Sequence, residues 1–160
     1  MGCKYCFRTN LISVVIPSSV TKIGTSAFGR CSSLGSVIIP NSIKKIESHA
    51  FNRCSSLMSV TIPNSVVEIS YATFEHCTSL ASVVIPNSVT NIDDRAFRGC
   101  DKLRQIYSFC PYPPSQLPPF DSDPFTDELR KNCILYVPKG CINIYRKSRN
   151  WGFIDIREIE

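Results

Sequence analysis

From residue 57 to residue 77 the chain points a fixed set of side chains one way: Leu57, Val60, Ile62, Val66, Ile69, Thr73, Phe74 and Cys77. The stretch before it does the same with Leu34, Val37, Ile39, Ile43, Ile46, Ala50, Phe51 and Cys54. Each position in one stretch lies 23 residues from its counterpart, as 57 − 34 and 77 − 54 show. The step holds for Cys31, Cys54, Cys77 and Cys100, for Phe28, Phe51, Phe74 and Phe97, and for Pro17, Pro40, Pro63 and Pro86. Self-similarity at a fixed period is the mark of stacked structural repeats. One such stretch cannot bury its own apolar face, whereas neighbours stacked on it bury a shared one.

Within each repeat the alternation predicts short strands. In "SLMSVTIP" Leu57, Val60 and Ile62 face inward while Ser59 and Thr61 face outward, as a strand period of two requires. Pro63 ends the strand, because proline has no N–H to donate to a ladder. A second short extended piece is expected over residues 66–69. A single helical turn is expected at "SHAF" and "YATF".

A period of 20 to 29 residues with regularly spaced Leu, Ile and Val points to leucine-rich repeats. The segment "LASVVIPNSVTNIDDRAFRGC", residues 80–100, resembles the BspA-like branch of these proteins, with its pattern L-x-x-V-x-I-P-x-S-V-x-x-I-x-x-x-A-F-x-x-C. The tail "ILYVPKGCINIYRKSRNWGFIDIREIE", residues 134–160, is similar to the closing segment of such proteins in host-associated anaerobic bacteria. The resemblance implies a right-handed leucine-rich-repeat solenoid. It would hold mostly short parallel β-strands with single helical turns, about five turns in all, and a C-terminal cap containing Trp151, Phe153 and Ile156. It also implies secretion or surface display, and adhesion or protein binding. The organisation expected within one domain is repeats over 1–108, the first turn partial, then a Pro-rich insertion over 109–133. The final strand, a short helix and the cap follow over 134–160.

The cysteine column calls for its own explanation. Neighbouring turns lie about 4.8 Å apart, and Cβ atoms pointing in parallel at that spacing suit a disulfide poorly. A ladder of reduced, buried thiols is expected, each a small hydrophobe with a weak S–H donor that reaches an interior carbonyl. The chain has 9 cysteines, so at least one thiol is free in a monomer. The redox state of Cys3, Cys6, Cys110, Cys133 and Cys141 is open from sequence, including a Cys110–Cys133 bridge in an exported protein.

Composition narrows the functional classes. With 43% hydrophobic and 19% charged residues over 160 positions, a single globular domain is expected. No apolar run approaches the ~18 residues of a membrane span, so no membrane insertion is expected. "MGCKYCFRTN" lacks the apolar segment of a secretory signal, so export of the parent protein would need a signal upstream. Tyr5 falls on the Phe column and Leu11 on the Leu column, so the chain reads as opening inside a turn. The net charge of +5 is mild and scattered, and no nucleic-acid partner is expected.

Candidate sites follow from the columns. The outward strand positions form two, one with Ser36, Ser59, Ser82 and Gln105, the other with Ile38, Thr61, Val84 and Tyr107. Solenoids bind through such concave faces, and a row of exposed β-branched residues closed by a tyrosine is the candidate binding surface for a protein or glycan on a host or neighbouring cell. The alternatives are an inert face on a spacer domain and self-association through the open first turn, Tyr5 to Ile16, giving a homo-oligomer. A second column, Arg30, Arg53 and His76, offers itself to an acidic partner or serves as a solvated edge. The Pro-rich insertion carries Tyr112, Phe120 and Phe125, either as anchors or as cover for the last turn. "CKYC", residues 3–6, has no second cysteine pair at zinc-site spacing. No metal site, cofactor or catalytic residue is expected, since His49 and His76 fall in different columns and no carboxylate pair recurs.

Overall fold

The computed structural model describes residues 10–115 and 123–160. Eleven short strands and two short helices wind as a solenoid. β1 (Ser13–Val15), β3 (Ser36–Ile38), β5 (Ser59–Thr61), β7 (Ser82–Ile85) and β9 (Gln105–Ser108) take the predicted strand slots. β10 (Ile134–Val137) and β11 (Asp155–Glu158) extend the same face. The pairing is parallel throughout, in one sheet ordered β11-β10-β9-β7-β5 and a second of β1-β3. Between the two sheets the stack is carried across by Met58 N–H donating to Gly35 O at 3.2 Å and Ser56 N–H donating to Ser32 O at 3.1 Å.

Register keeps the 23-residue step, with Ser59 opposite Ser82 and Val60 opposite Val83. The second extended pieces are two residues each, at β2 (Lys22–Ile23), β4 (Lys45–Ile46), β6 (Glu68–Ile69) and β8 (Asn91–Ile92). They pair as β2-β4 and β6-β8.

All eight inward positions of the third repeat are buried. In the second repeat Val37 and Ile39 are only partly covered. The phenylalanine column becomes a stack of five near-parallel rings, Phe28, Phe51, Phe74, Phe97 and Phe125, with centroids 5.2 to 5.6 Å apart. Phe125 stands 28 residues after Phe97 rather than 23, so the Pro-rich segment adds five residues to one turn without breaking the stack. Serine in the recurring "NSV" or "NSI" is equally regular. The hydroxyls of Ser42, Ser65 and Ser88 each donate to a carbonyl of the preceding turn, at Val20, Ile43 and Val66.

The expected helical turn at "SHAF" and "YATF" is absent. The corner is a run of four-residue turns in which His49, Arg53, Ala72 and His76 adopt left-handed backbone, with φ between 52° and 60°. The reason lies in the hydrogen bonds. The N–H groups of His49, Phe51 and Arg53 all donate to the next turn, at Tyr71, Thr73 and Glu75. The residues between them, Ala50 and Asn52, donate back three positions within the same turn. A helix would turn every N–H inward along its own axis and leave neighbouring turns unjoined. The left-handed cost, roughly 1–2 kcal/mol per non-glycine residue, is offset by a backbone hydrogen bond across each turn.

The thiol ladder is present. Cys54, Cys77 and Cys100 donate S–H to the carbonyls of Phe28, Phe51 and Phe74 at 3.1, 3.2 and 3.2 Å. Cys110 and Cys133 are free thiols, and Cys110 donates to Pro86 O at 3.2 Å. Burial pushes the Cys100 thiol up to about 12 and raises Cys77 well above its ordinary value. An unfolded thiol ionises near 8.5, so unfolding releases protons between that value and 12. Stability is therefore expected to fall as pH rises through this window. Iodoacetamide at pH 8 should label half-exposed Cys141 long before Cys77 or Cys100, which peptide mass spectrometry would read directly.

The C-terminal end is closed as the tail predicts. Thr126 caps α1 (Asp127–Asn132), its hydroxyl accepting from Leu129 N–H at 3.2 Å. α2 (Ile142–Lys147) and a 3-10 turn (Arg149–Trp151) lead into β11. Trp151, Phe153 and Ile156 are all buried. Trp151 and Phe153 meet the last ring of the stack edge-on, at 5.0 and 5.2 Å from Phe125. The indole N–H donates to Pro114 O at 3.0 Å. Ser108 occupies a slot that Ile62 and Ile85 fill in earlier turns, and its buried hydroxyl lies 2.6 Å from Tyr145 Oη. That phenol also donates to Cys110 O at 2.9 Å, so the polar groups of this last interior layer satisfy one another.

Candidate functional site

Strand alternation sets the working face. With Val60, Val83, Ile106 and Leu135 turned into the core, their neighbours must stand on the solvent side. The structure brings all eight expected positions onto that side. Ser36, Ile38, Ser59 and Thr61 are exposed, while Ser82, Val84, Gln105 and Tyr107 are half-buried by their neighbours. Parallel register aligns them in two rows, Ser59–Ser82–Gln105 and Thr61–Val84–Tyr107.

Both rows run further than the repeat alone indicated. Ile134 and Tyr136 continue them from β10, opposite Gln105 and Tyr107. Asp155 and Arg157 do so from β11, opposite Ile134 and Tyr136. A signal for β10 was available: Tyr136 stands two residues before Pro138, as Thr61 stands two before Pro63. β11 carries no proline marker.

The face changes character along its length. Its N-terminal part is aliphatic and wet, with Ile12, Val15, Ile38 and Met58 between 61 and 71% exposed. Thr61 and Val84 follow. The Tyr107 and Tyr136 rings then stack at 4.6 Å with 6° between planes. Each ring thereby fixes the other and leaves an aromatic platform with two hydroxyls at its rim. Beyond it Arg157 makes a two-pronged contact with Asp155, Nε to Oδ1 at 2.9 Å and Nη2 to Oδ2 at 2.7 Å. The guanidinium holds the Asp155 carboxyl below its ordinary range, and the carboxylate raises Arg157 in turn.

The other candidates separate. Phe125 is the last rung of the ring stack, so it covers the final turn rather than serving as a surface anchor. Tyr112 is 72% exposed. Phe120, "CKYC" and Tyr5 lie outside the described residues. His49 meets Tyr71 edge-on at 5.2 Å, and His76 packs against Gly99, where a Cβ would strike its ring. Among the described residues no cluster of three His, Cys, Asp or Glu side chains is placed to hold a metal ion.

A solenoid of parallel 23-residue turns with a capped end and one continuous sheet face is the architecture of a leucine-rich-repeat module. Residues 2–112 match the BspA type Leucine rich repeat region in 6 copies. The chain belongs to the BspA-type leucine-rich-repeat family. No curated protein matches it. Among solved structures it is similar to a T. pallidum leucine-rich-repeat protein, at 40% identity over 60% of this chain and 45% of that one, with a TM-score of 0.58. It is also similar to a leucine-rich cell surface protein from Faecalibacterium prausnitzii, at 26% identity over 93% of this chain and 32% of that one, TM-score 0.61. The pneumococcal vaccine antigen PcpA shares the fold, with TM-score 0.71 at 21% identity over 96% of this chain and 38% of that one. The chain thus spans less than half the length of each.

Proposed function

We propose that this chain is a non-catalytic binding module of a secreted or cell-surface protein, and that it recognises a protein or glycan through the sheet face. The observation that carries the reading is the row Ile38, Thr61, Val84, Tyr107 and Tyr136, an apolar-to-aromatic strip held in register on a rigid ladder. Contiguous exposed apolar surface marks interaction sites, and aromatic anchors dominate interface energetics. Similarity to a protein described as a leucine-rich cell surface protein supports the surface location. The partner expected is a macromolecule on a host or neighbouring cell, not a nucleic acid and not a lipid bilayer.

The test is retention on an array of host matrix proteins and glycans, run beside a variant carrying Thr61→Ser, Val84→Thr and Tyr107→Ser. A ligand held by the wild type and released by the variant supports the sheet face. Equal retention by both moves function off this face and favours a spacer role. A second reading, self-association, draws on an apolar groove of about 600 Å³ lined by Val15, Ile16, Val20, Ile23 and Phe28 at the first described turn. Solution mass that rises with concentration would support it.

A further inference from the structure

On the turn side of the solenoid, away from the sheet face, Arg30, Arg53 and His76 form one column, one residue per turn. All three are left-handed, with φ of 65°, 60° and 59°. Their N–H groups are fixed to the next turn, at Asn52, Glu75 and Arg98, over 2.7 to 2.8 Å. Arg30 and Arg53 are exposed. Among the described residues no carboxylate pairs with either guanidinium. Glu75, on the neighbouring column, instead accepts from Asn52 Nδ2 at 2.9 Å. Exposed Arg98 stands one turn beyond Glu75 on that column.

Two local rules are broken in one place. The backbone conformation favours glycine, and the fourth member of the column is indeed Gly99, at φ 70°. The charges are also alike and stacked a turn apart, which is unfavourable without an anion between them. Local rules that fail with no compensating contact mark sites where something else binds.

We propose that this column is a second binding surface, distinct from the sheet face, for a linear sulfated glycan lying along the solenoid axis. Spacing selects that class. Successive turns are 5.2 to 5.5 Å apart where their rings stack, comparable to the rise of one sugar unit. An acidic peptide in extended form presents same-side carboxylates about 6.8 Å apart. Duplex DNA presents a phosphate every 3.4 Å along each strand. The planar guanidinium binds a sulfate's oxygens in the two-pronged way it binds carboxylate or phosphate.

The test uses immobilised heparin and the whole chain. Arg30→Gly with Arg53→Gly removes the charges while supplying the residue the repeat itself carries at position 99, so the fold is kept. Lys44→Ser with Lys45→Ser removes equal charge from the opposite side, and circular dichroism confirms that all three proteins are folded. The wild type and the lysine variant should bind heparin in 150 mM NaCl. The arginine variant should bind about tenfold more weakly and show a flatter dependence on salt. Equal weakening of both variants would reduce the effect to bulk charge and overturn the proposal. So would absence of heparin binding by the wild type, or tighter binding to poly-glutamate than to heparin. None of these results bears on the sheet face, which the arginine substitutions leave intact.

Discussion

Phe74→Ala is expected to destabilise the protein by about 3–5 kcal/mol, the range for emptying a fully buried phenylalanine site. Phe74 is the middle rung of five, with a ring 5.5 Å away on each side. Its removal opens a void that neither neighbour can fill, because Phe51 and Phe97 are each held by their own turn. In a linear stack every repeat depends on the interfaces to its two neighbours, so the loss falls on both sides at once. Urea denaturation followed by circular dichroism measures it. Phe28→Ala is the internal comparison. Phe28 is half-buried at the end of the described stack and has one ring neighbour, so its loss should cost clearly less. Equal costs at the two positions would contradict a cooperative ring ladder.

Trp151→Ala should cost a similar amount, again about 3–5 kcal/mol, but in a different part of the molecule. Trp151 is 1% exposed and closes the stack against Phe125 and Tyr145. Its loss also leaves Pro114 O without its donor. Nearest-neighbour stability predicts unravelling from the capped end. Amide exchange should accelerate first in β10 and β11, with β5 and β7 still protected. Uniform acceleration along the whole chain would show that the cap stabilises globally rather than locally.

The inward columns, the strand slots and the closing role of Trp151 were legible because each is a repeated or strongly apolar choice, and burial is what the repetition serves. The thiol ladder was legible for the same reason, since an S–H at constant spacing beside a bend needs an acceptor. The corner was not. "SHAF" and "YATF" satisfy helix propensity, yet the N–H groups there are claimed by the next turn, a tertiary demand that local propensity does not register. A sharper signal was the glycine at position 99 in the column of Arg30, Arg53 and His76, because one glycine in an otherwise bulky column points to positive φ. The sheet face was legible as far as Tyr107. Tyr136, Asp155 and Arg157 were missed because the five extra residues and the two short helices break the 23-residue count, and register past that point comes from pairing rather than period. The Ser108–Tyr145 pair was hidden for a related reason. A serine in an isoleucine slot looks like a fault until the phenol 37 positions on is in place.

The most direct measurement takes the strongest ligand from the array and compares its Kd for three proteins. These are the wild type, the variant with Thr61→Ser, Val84→Thr and Tyr107→Ser, and the variant with Arg30→Gly and Arg53→Gly. A working sheet face predicts that the first variant loses at least about tenfold in affinity, since an aromatic anchor contributes 1.4 kcal/mol or more at such a surface, while the arginine variant stays close to wild type. An unchanged Kd in the sheet-face variant, with the fold intact, would contradict the assignment of binding to this face.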